Sequence, residues 1–146
     1  MTDDQAIANG ARRVDLTRIG PEQYEATNVR GGRITLGTGQ NEDFTPVELL
    51  LAAIAGCSGV DVDLMTARRA EPLEFSITSR GDKVNDEQGH HMDNLEVTFT
   101  LRFPEGPGGD KAREMAPRAI EASRDRLCTV SRTVSLGTPI TMRQQD

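Results

Sequence analysis

Two thiols carry the chemistry open to this chain. Cys57 stands in an apolar run, between Leu49-Leu50-Leu51-Ala52-Ala53-Ile54-Ala55-Gly56 and Ser58-Gly59-Val60-Asp61. Cys128 follows far downstream in Leu127-Cys128-Thr129-Val130-Ser131. There are 2 cysteines in all, and a lone pair of thiols points to redox chemistry. Free cysteine also serves as a small buried hydrophobe, and Cys57 read alone fits that role too. Gly56 and Gly59 flank it, and glycine inside a helix costs about 1 kcal/mol relative to alanine. Such a cost is tolerated where a ligand or another backbone comes close; plain helix packing is the competing reading. Ser58 adds a polar group beside the thiol. Asp61, four residues on, shares its face of the helix. An unpaired carboxylate there raises a thiol pKa, so Asp61 is expected to have a basic partner.

A reactive cysteine is a thiolate, and a thiolate needs positive potential. Cys57 lies too deep in its helix for the N-terminal dipole to supply it. The expected source is a cation from elsewhere in the fold. Arg13, Arg18, Arg30 and Arg33 precede the helix, and Arg126 and Arg132 flank Cys128; each taken singly also reads as a solvated surface charge. His90-His91 sits in a polar stretch with no cysteine at zinc spacing. No glycine-rich phosphate loop and no Gly-x-Ser-x-Gly elbow occur. No metal and no cofactor are expected.

These residues must be placed by the elements around them. Val14, Leu16 and Ile19 predict a first strand, Tyr24 and Ala26 a second, Ile34 and Leu36 a third, with Gly31-Gly32 as the hairpin turn between the last two. Residues 37–43 read as a polar loop. A helix start follows, signalled four times. Thr45 is an N-cap, Pro46 suits the first helical position, Glu48 completes a capping box, and Phe44 with Leu49 forms a hydrophobic staple. The helix is predicted from Pro46 to Ala70, roughly 37 Å, with Arg68-Arg69 favourable to its dipole. Its first half is apolar all round and is expected to be buried on every side, in part by a second subunit. Leu73, Phe75 and Ile77 alternate with polar residues as a strand, 81–91 reads as a polar loop, and Leu95 to Phe103 alternates strictly as a half-buried strand. Asp110 is expected to cap a second helix with Ala112, Met115, Ala119, Ile120 and Leu127 inward and Pro117 kinking or restarting it. A short turn over Thr129–Val134 and a strand over Pro139–Met142 complete the chain. Segregated strands and helices give an α+β class, with helices on one face of antiparallel sheet.

The 146 residues fit one domain. Residues 1–10 are polar and expected to be flexible, and 11–146 are expected to form the domain. With no Trp and one Tyr, the core must be aliphatic. A net charge of −6 argues against nucleic acid, which asks for a basic face. No apolar stretch is read as reaching the ~18 residues of a membrane span, and the N-terminus lacks the features of a signal peptide. The protein is expected in the cytoplasm, where a disulfide is transient and signals chemistry or sensing.

The run from Pro46 through Gly56-Cys57-Ser58-Gly59-Val60-Asp61-Val62, together with Leu127-Cys128-Thr129-Val130-Ser131, resembles the two cysteine motifs of the OsmC/Ohr family, the osmotically inducible and organic hydroperoxide resistance proteins. The order of elements matches from about Arg13 to Met142. The motif pattern is similar to the OsmC-like third branch of that family. The resemblance implies a two-layer α+β fold, antiparallel sheets packed on a long central helix, in an interlocked homodimer. It implies a thiol peroxidase acting on organic hydroperoxides in oxidative stress defence. Cys57 would be oxidised to a sulfenic acid, Cys128 would resolve it as a disulfide, and a lipoyl-like dithiol would restore both thiols. Glu48, Arg18, Arg30, Asp61 and Ser58 are the supporting candidates. The family's peroxidases keep a glutamate where this chain has Val47 and a proline where it has Thr129. The alternative is a non-peroxidase OsmC-like protein that senses redox state or binds a small thiol or acyl ligand. A third reading has both cysteines only packing.

Overall fold

The computed structural model describes residues 10–145; of the segment expected to be flexible, residues 1–9 lie outside the described residues. The element order is β1 (Val14–Gly20), β2 (Gln23–Asn28), β3 (Arg33–Leu36), α1 (Pro46–Thr66), β4 (Glu74–Asp86), β5 (Gly89–Arg102), α2 (Pro107–Ala122), a π turn (Ser123–Leu127) and α3 (Thr129–Leu136). Both sheets are antiparallel, one ordered β1-β2-β3 and one made of β4 and β5. The α+β class expected from the segregated pattern is the one observed. The chain divides into two compact units, residues 1–50 and 51–146.

The first unit holds the three-stranded meander and the start of α1. Val14 pairs with Asn28, and Tyr24 with Leu36. Asn28 builds the β2–β3 turn: its carboxamide oxygen accepts the N–H groups of Arg30 and Gly32 at 3.0 and 2.9 Å. The helix start forms as the spacing predicts. Thr45 N–H donates to Glu48 Oε1 at 2.8 Å, and Glu48 N–H donates back to Thr45 Oγ1 at 3.3 Å.

In the second unit, α1 ends at Thr66 rather than Ala70. The Thr66 hydroxyl donates to the Val62 carbonyl, and the Thr66 carbonyl accepts both Arg69 and Ala70 N–H groups. Arg68 and Arg69 therefore lie in the turn beyond the helix. The loop expected over 81–91 is instead the far end of a long hairpin. Its polar sequence reflects strands exposed to water, and the turn needs only Glu87 and Gln88. Asp86 Oδ1 accepts the N–H groups of Gln88 and Gly89, and Gly89 has φ 128°, a conformation that favours glycine. On β5 the alternation holds, with Val97, Phe99 and Leu101 half-buried and Thr98, Thr100 and Arg102 exposed.

The second helix begins earlier than expected, with Gly106 as N-cap and Pro107 inside the first turn; Asp110 lies within it. It runs through Pro117 to Ala122 and buries the small residues Gly109, Ala112, Ala116 and Ala119. Ala112 and Ala116 pack on Phe103. Leu127, expected inward, is 46% exposed. The turn expected at Thr129–Val134 is a full helix, closed by Gly137 in the left-handed conformation. Residues 139–142 form no strand, and Ile140 and Met142 are exposed.

The central helix is covered on one side within the chain. Ile54, Ser58, Val62 and Thr66 are buried, while Ala53, Gly56, Val60 and Leu64 are exposed. The expectation of burial on every side is thus corrected for the single chain. By length and composition alone α1 could also cross a membrane, so the expectation that no stretch is long enough is corrected as well. The two glycines separate the packing alternatives. A Cβ at Gly59 would sit 2.8 Å from Ile77 Cδ1, whereas one at Gly56 would meet nothing within 4 Å. Gly59 lets α1 approach β4. Replacing Gly59 by Leu is expected to destabilise the protein by about 1–3 kcal/mol through overpacking, read from the urea midpoint, with Gly56→Ser as a milder control.

Candidate active site

The site is built by one face of α1 and the chain that follows α2. Ser58 is buried, and its hydroxyl donates to Cys128 Sγ at 3.5 Å. One turn along the helix, Asp61 Oδ2 accepts the Ser123 hydroxyl at 2.8 Å. The basic partner expected for Asp61 is replaced by this neutral hydroxyl. Ser123 opens the π turn, and its carbonyl accepts the Cys128 N–H at 3.0 Å. Ser58 and Asp61 therefore hold the two ends of the same widened turn. Cys128 leaves it in an extended conformation and becomes the N-cap of α3, where its sulfur accepts the Ser131 N–H at 3.3 Å.

The first N–H groups of a helix have no partner within it and carry partial positive charge. Here they meet two sulfurs. Ser131 N–H serves Cys128, while the Val130 and Thr129 N–H groups act on Cys57 to favour its thiolate. The two thiols lie close enough to shift each other's ionisation. Burial pushes the Cys57 thiol up, the neighbouring Cys128 adds to this, and the α3 N–H groups offset it only in part. At Cys128 burial again acts upward, but the Ser131 hydroxyl and N–H, the Ser58 hydroxyl and the Cys57 thiol together outweigh it and hold Cys128 below the ordinary thiol range. Charge on the pair therefore settles first on Cys128. Access runs the other way, since Cys57 is partly exposed and Cys128 has 0% exposure.

A cavity of about 220 Å³ lies against this cluster, lined by Ser58, Ser131, Leu95, Val97, Phe99, Ile120 and Arg124. Its walls are mostly apolar, and Ser58 and Ser131 are the same residues that bond Cys128. Arg124 is paired with Asp125 at 2.7 Å.

The candidates Glu48, Arg18 and Arg30 belong to the first unit. Glu48 is engaged in the capping box, and the Thr45 N–H holds its carboxyl below the usual range. Arg18 lies on β1 opposite Tyr24, and Arg30 stands in the β2–β3 turn. The positive potential expected from an arginine comes instead from the backbone of α3. A signal for it was present in the sequence: Gly137 marks a helix end, and eight residues earlier Cys128-Thr129 stands where a cap would stand.

The family model described as OsmC-like protein matches residues 39–143, a span that contains both cysteines. The chain belongs to the OsmC-like family. Uncharacterized proteins of Mycobacterium tuberculosis and Mycobacterium bovis are 29% identical over 133 residues, covering 90% of this chain and 94% of theirs. Among solved structures, a hypothetical protein from Aquifex aeolicus shares the fold with TM-score 0.69, at 24% identity over 88% of this chain and 89% of that one. The organic hydroperoxide resistance protein OhrB of Bacillus subtilis has TM-score 0.51, at 17% identity over 83% of this chain and 90% of its own. These likenesses establish for this OsmC-like chain an α+β fold of antiparallel sheets and helices.

The opposite directions at the two sulfurs are measurable. Followed by thiolate absorbance, Cys128 in a Cys57→Ser variant is expected to ionise at lower pH than Cys57 in a Cys128→Ser variant. Adding Ser58→Ala to the Cys57→Ser variant removes a donor to the Cys128 thiolate, so its midpoint should rise, by about one pH unit or less.

Proposed function

We propose that this OsmC-like chain is a cysteine-based peroxidase that reduces organic hydroperoxides in oxidative stress defence. The observation that carries the reading is the placing of Cys57 beside Cys128, the N-cap of α3, whose sulfur is held by Ser58 and Ser131. The more exposed Cys57, as thiolate, attacks the outer peroxide oxygen. The O–O bond breaks, the alkoxide takes a proton to leave as alcohol, and Cys57 becomes a sulfenic acid. Thr129 and Val130 N–H groups stabilise the Cys57 thiolate that this step needs. Cys128 then attacks the Cys57 sulfur, hydroxide leaves and is protonated to water, and the two sulfurs are joined. A lipoyl-like dithiol returns two electrons and restores both thiols. The apolar cavity beside Ser58 and Ser131 suits the organic part of such a substrate. Hydroperoxide resistance is also the property named for the Bacillus subtilis relative in fold.

Under this reading residues 11–146 act as one domain, in the cytoplasm, as a homodimer. The exposed apolar stripe Ala53, Gly56, Val60 and Leu64 supports the dimer, because leaving it in water forfeits its burial energy. Leu64→Glu is expected to convert a dimer to monomer in sedimentation at micromolar concentration; a monomeric parent protein refutes the dimer.

The raised Cys57 thiol and Val47 at the family's glutamate position favour a second reading, a redox sensor or a binder of a small thiol or acyl ligand. One experiment separates the two. Reduced protein is mixed with cumene hydroperoxide or hydrogen peroxide and thiol loss is followed. Fast loss of both thiols with the organic peroxide, abolished by Cys57→Ser and left as a trapped sulfenic acid by Cys128→Ser, is the expected result. Slow loss indifferent to peroxide rules the peroxidase out.

A further inference from the structure

The two sulfurs of the oxidised site are not equivalent toward a reductant. Thiol–disulfide exchange has a direction: the incoming thiolate attacks the sulfur it can reach, and the better-stabilised thiolate leaves. Cys57 is partly exposed, and burial and the neighbouring Cys128 thiol work against its thiolate, offset only in part by the Val130 and Thr129 N–H groups. Cys128 is fully buried, and its sulfur sits at the N-cap of α3 within 3.3 Å of the Ser131 N–H and 3.5 Å of the Ser58 hydroxyl. The Cys128 backbone is fixed as well, by its N–H bond to Ser123, whose side chain is tied to Asp61. A charge that appears on Cys128 therefore appears in a preformed cradle that includes the Ser58 hydroxyl and the Ser131 N–H, while a charge left on Cys57 has only the backbone N–H groups of Thr129 and Val130.

We propose that the reducing thiol attacks Cys57 and expels Cys128 as the thiolate, with the Ser58 hydroxyl and the Ser131 N–H acting as the cradle that receives its charge. The thiolate of a low-molecular-weight thiol forms a bond to Cys57 Sγ as the Cys57–Cys128 bond breaks, leaving a mixed disulfide on Cys57. A second thiol, after losing its proton to water, attacks the reductant's sulfur in that mixed disulfide and releases Cys57, which takes a proton. The reductant ends as its disulfide, having given two electrons to the protein. The inference rests on the Cys57–Cys128 disulfide of the proposed function, but not on peroxide as the oxidant that makes it. Ser58 is a positioning residue in this scheme, placed by α1, and its hydroxyl acts through the leaving sulfur.

The test starts from full-length protein oxidised with diamide, so peroxide plays no part. The disulfide is opened briefly with glutathione, quenched with acid and N-ethylmaleimide, and the peptides are read by mass spectrometry. Glutathione on Cys57 and maleimide on Cys128, in at least about tenfold excess over the reverse pattern, is expected. Glutathione mainly on Cys128, equal labelling of both, or failure of diamide to form the intramolecular disulfide each overturns the proposal. Ser58→Ala should slow the opening about tenfold and raise the pH at which Cys128 ionises, while Ser58→Thr, which keeps the hydroxyl, should restore both. Unchanged opening rate and ionisation in Ser58→Ala would remove Ser58 from the cradle. Correct labelling in a protein inert to organic hydroperoxides would leave this inference standing and sink the peroxidase reading instead.

Discussion

The orphan N–H groups at the first turn of α3 are the constraint on which the site depends. A short helix presents three of them within a few ångströms, and nothing in its own backbone can accept them. The Cys128 sulfur accepts one of them at the N-cap, and the Cys57 sulfur from α1 lies within their influence. Because the donors are backbone groups, they are fixed by the helix geometry and cannot be rotated away as a long arginine can. The arrangement also divides labour between the thiols. One sulfur is sheltered and stabilised as an anion, while the other is reachable and holds its proton more tightly.

Keeping α3 in that position asks for a chain of hydrogen bonds rather than ion pairs. Asp61 holds Ser123, Ser123 holds the Cys128 N–H, and Ser58 holds the Cys128 sulfur. Each bond is modest in net terms, about 1 kcal/mol for a neutral pair and somewhat more where a carboxylate accepts. The Ser58–Cys128 bond is buried beside Val62, Thr66 and Ser123, so an orphaned partner there would carry the cost of lost solvation. Gly59 contributes from the opposite side, letting α1 lie close to Ile77 so that its other face can turn to the serine pair.

Much of this was legible in the chain itself. Thr45, Pro46 and Glu48 announce the start of α1 because capping is local chemistry, complete within four residues. The strict alternation over Leu95–Phe103 announces β5 because one face is covered. Prediction failed where the deciding contact is remote or the environment is water on both faces. The hairpin arm over 81–91 reads as loop since neither of its faces needs apolar residues. Asp61 invited a basic partner because the sequence cannot show a serine arriving from 62 positions away. The end of α3 was marked by Gly137, yet its start was masked by the β-branched Thr129 and Val130 and by a cysteine acting as a cap, a role more familiar from Ser or Asp. The stripe of Ala53, Gly56, Val60 and Leu64 reads as core from composition, and only the folded chain reveals that the described residues leave it uncovered.

The π turn between α2 and α3 has a geometric meaning of its own. A π turn contains one residue more than an α turn spanning the same length. Each residue of an α-helix advances the side-chain direction by about 100°. With one residue fewer between Ser123 and Leu127, α2 would continue in regular α geometry and the cysteine after it would point roughly a quarter of a circle away from Ser58. The presence of the thiol at the N-cap of α3 thus depends on the count of residues in this segment as much as on their identity. A single-residue deletion there would leave every side chain of the site in the chain and dismantle the site by angle alone.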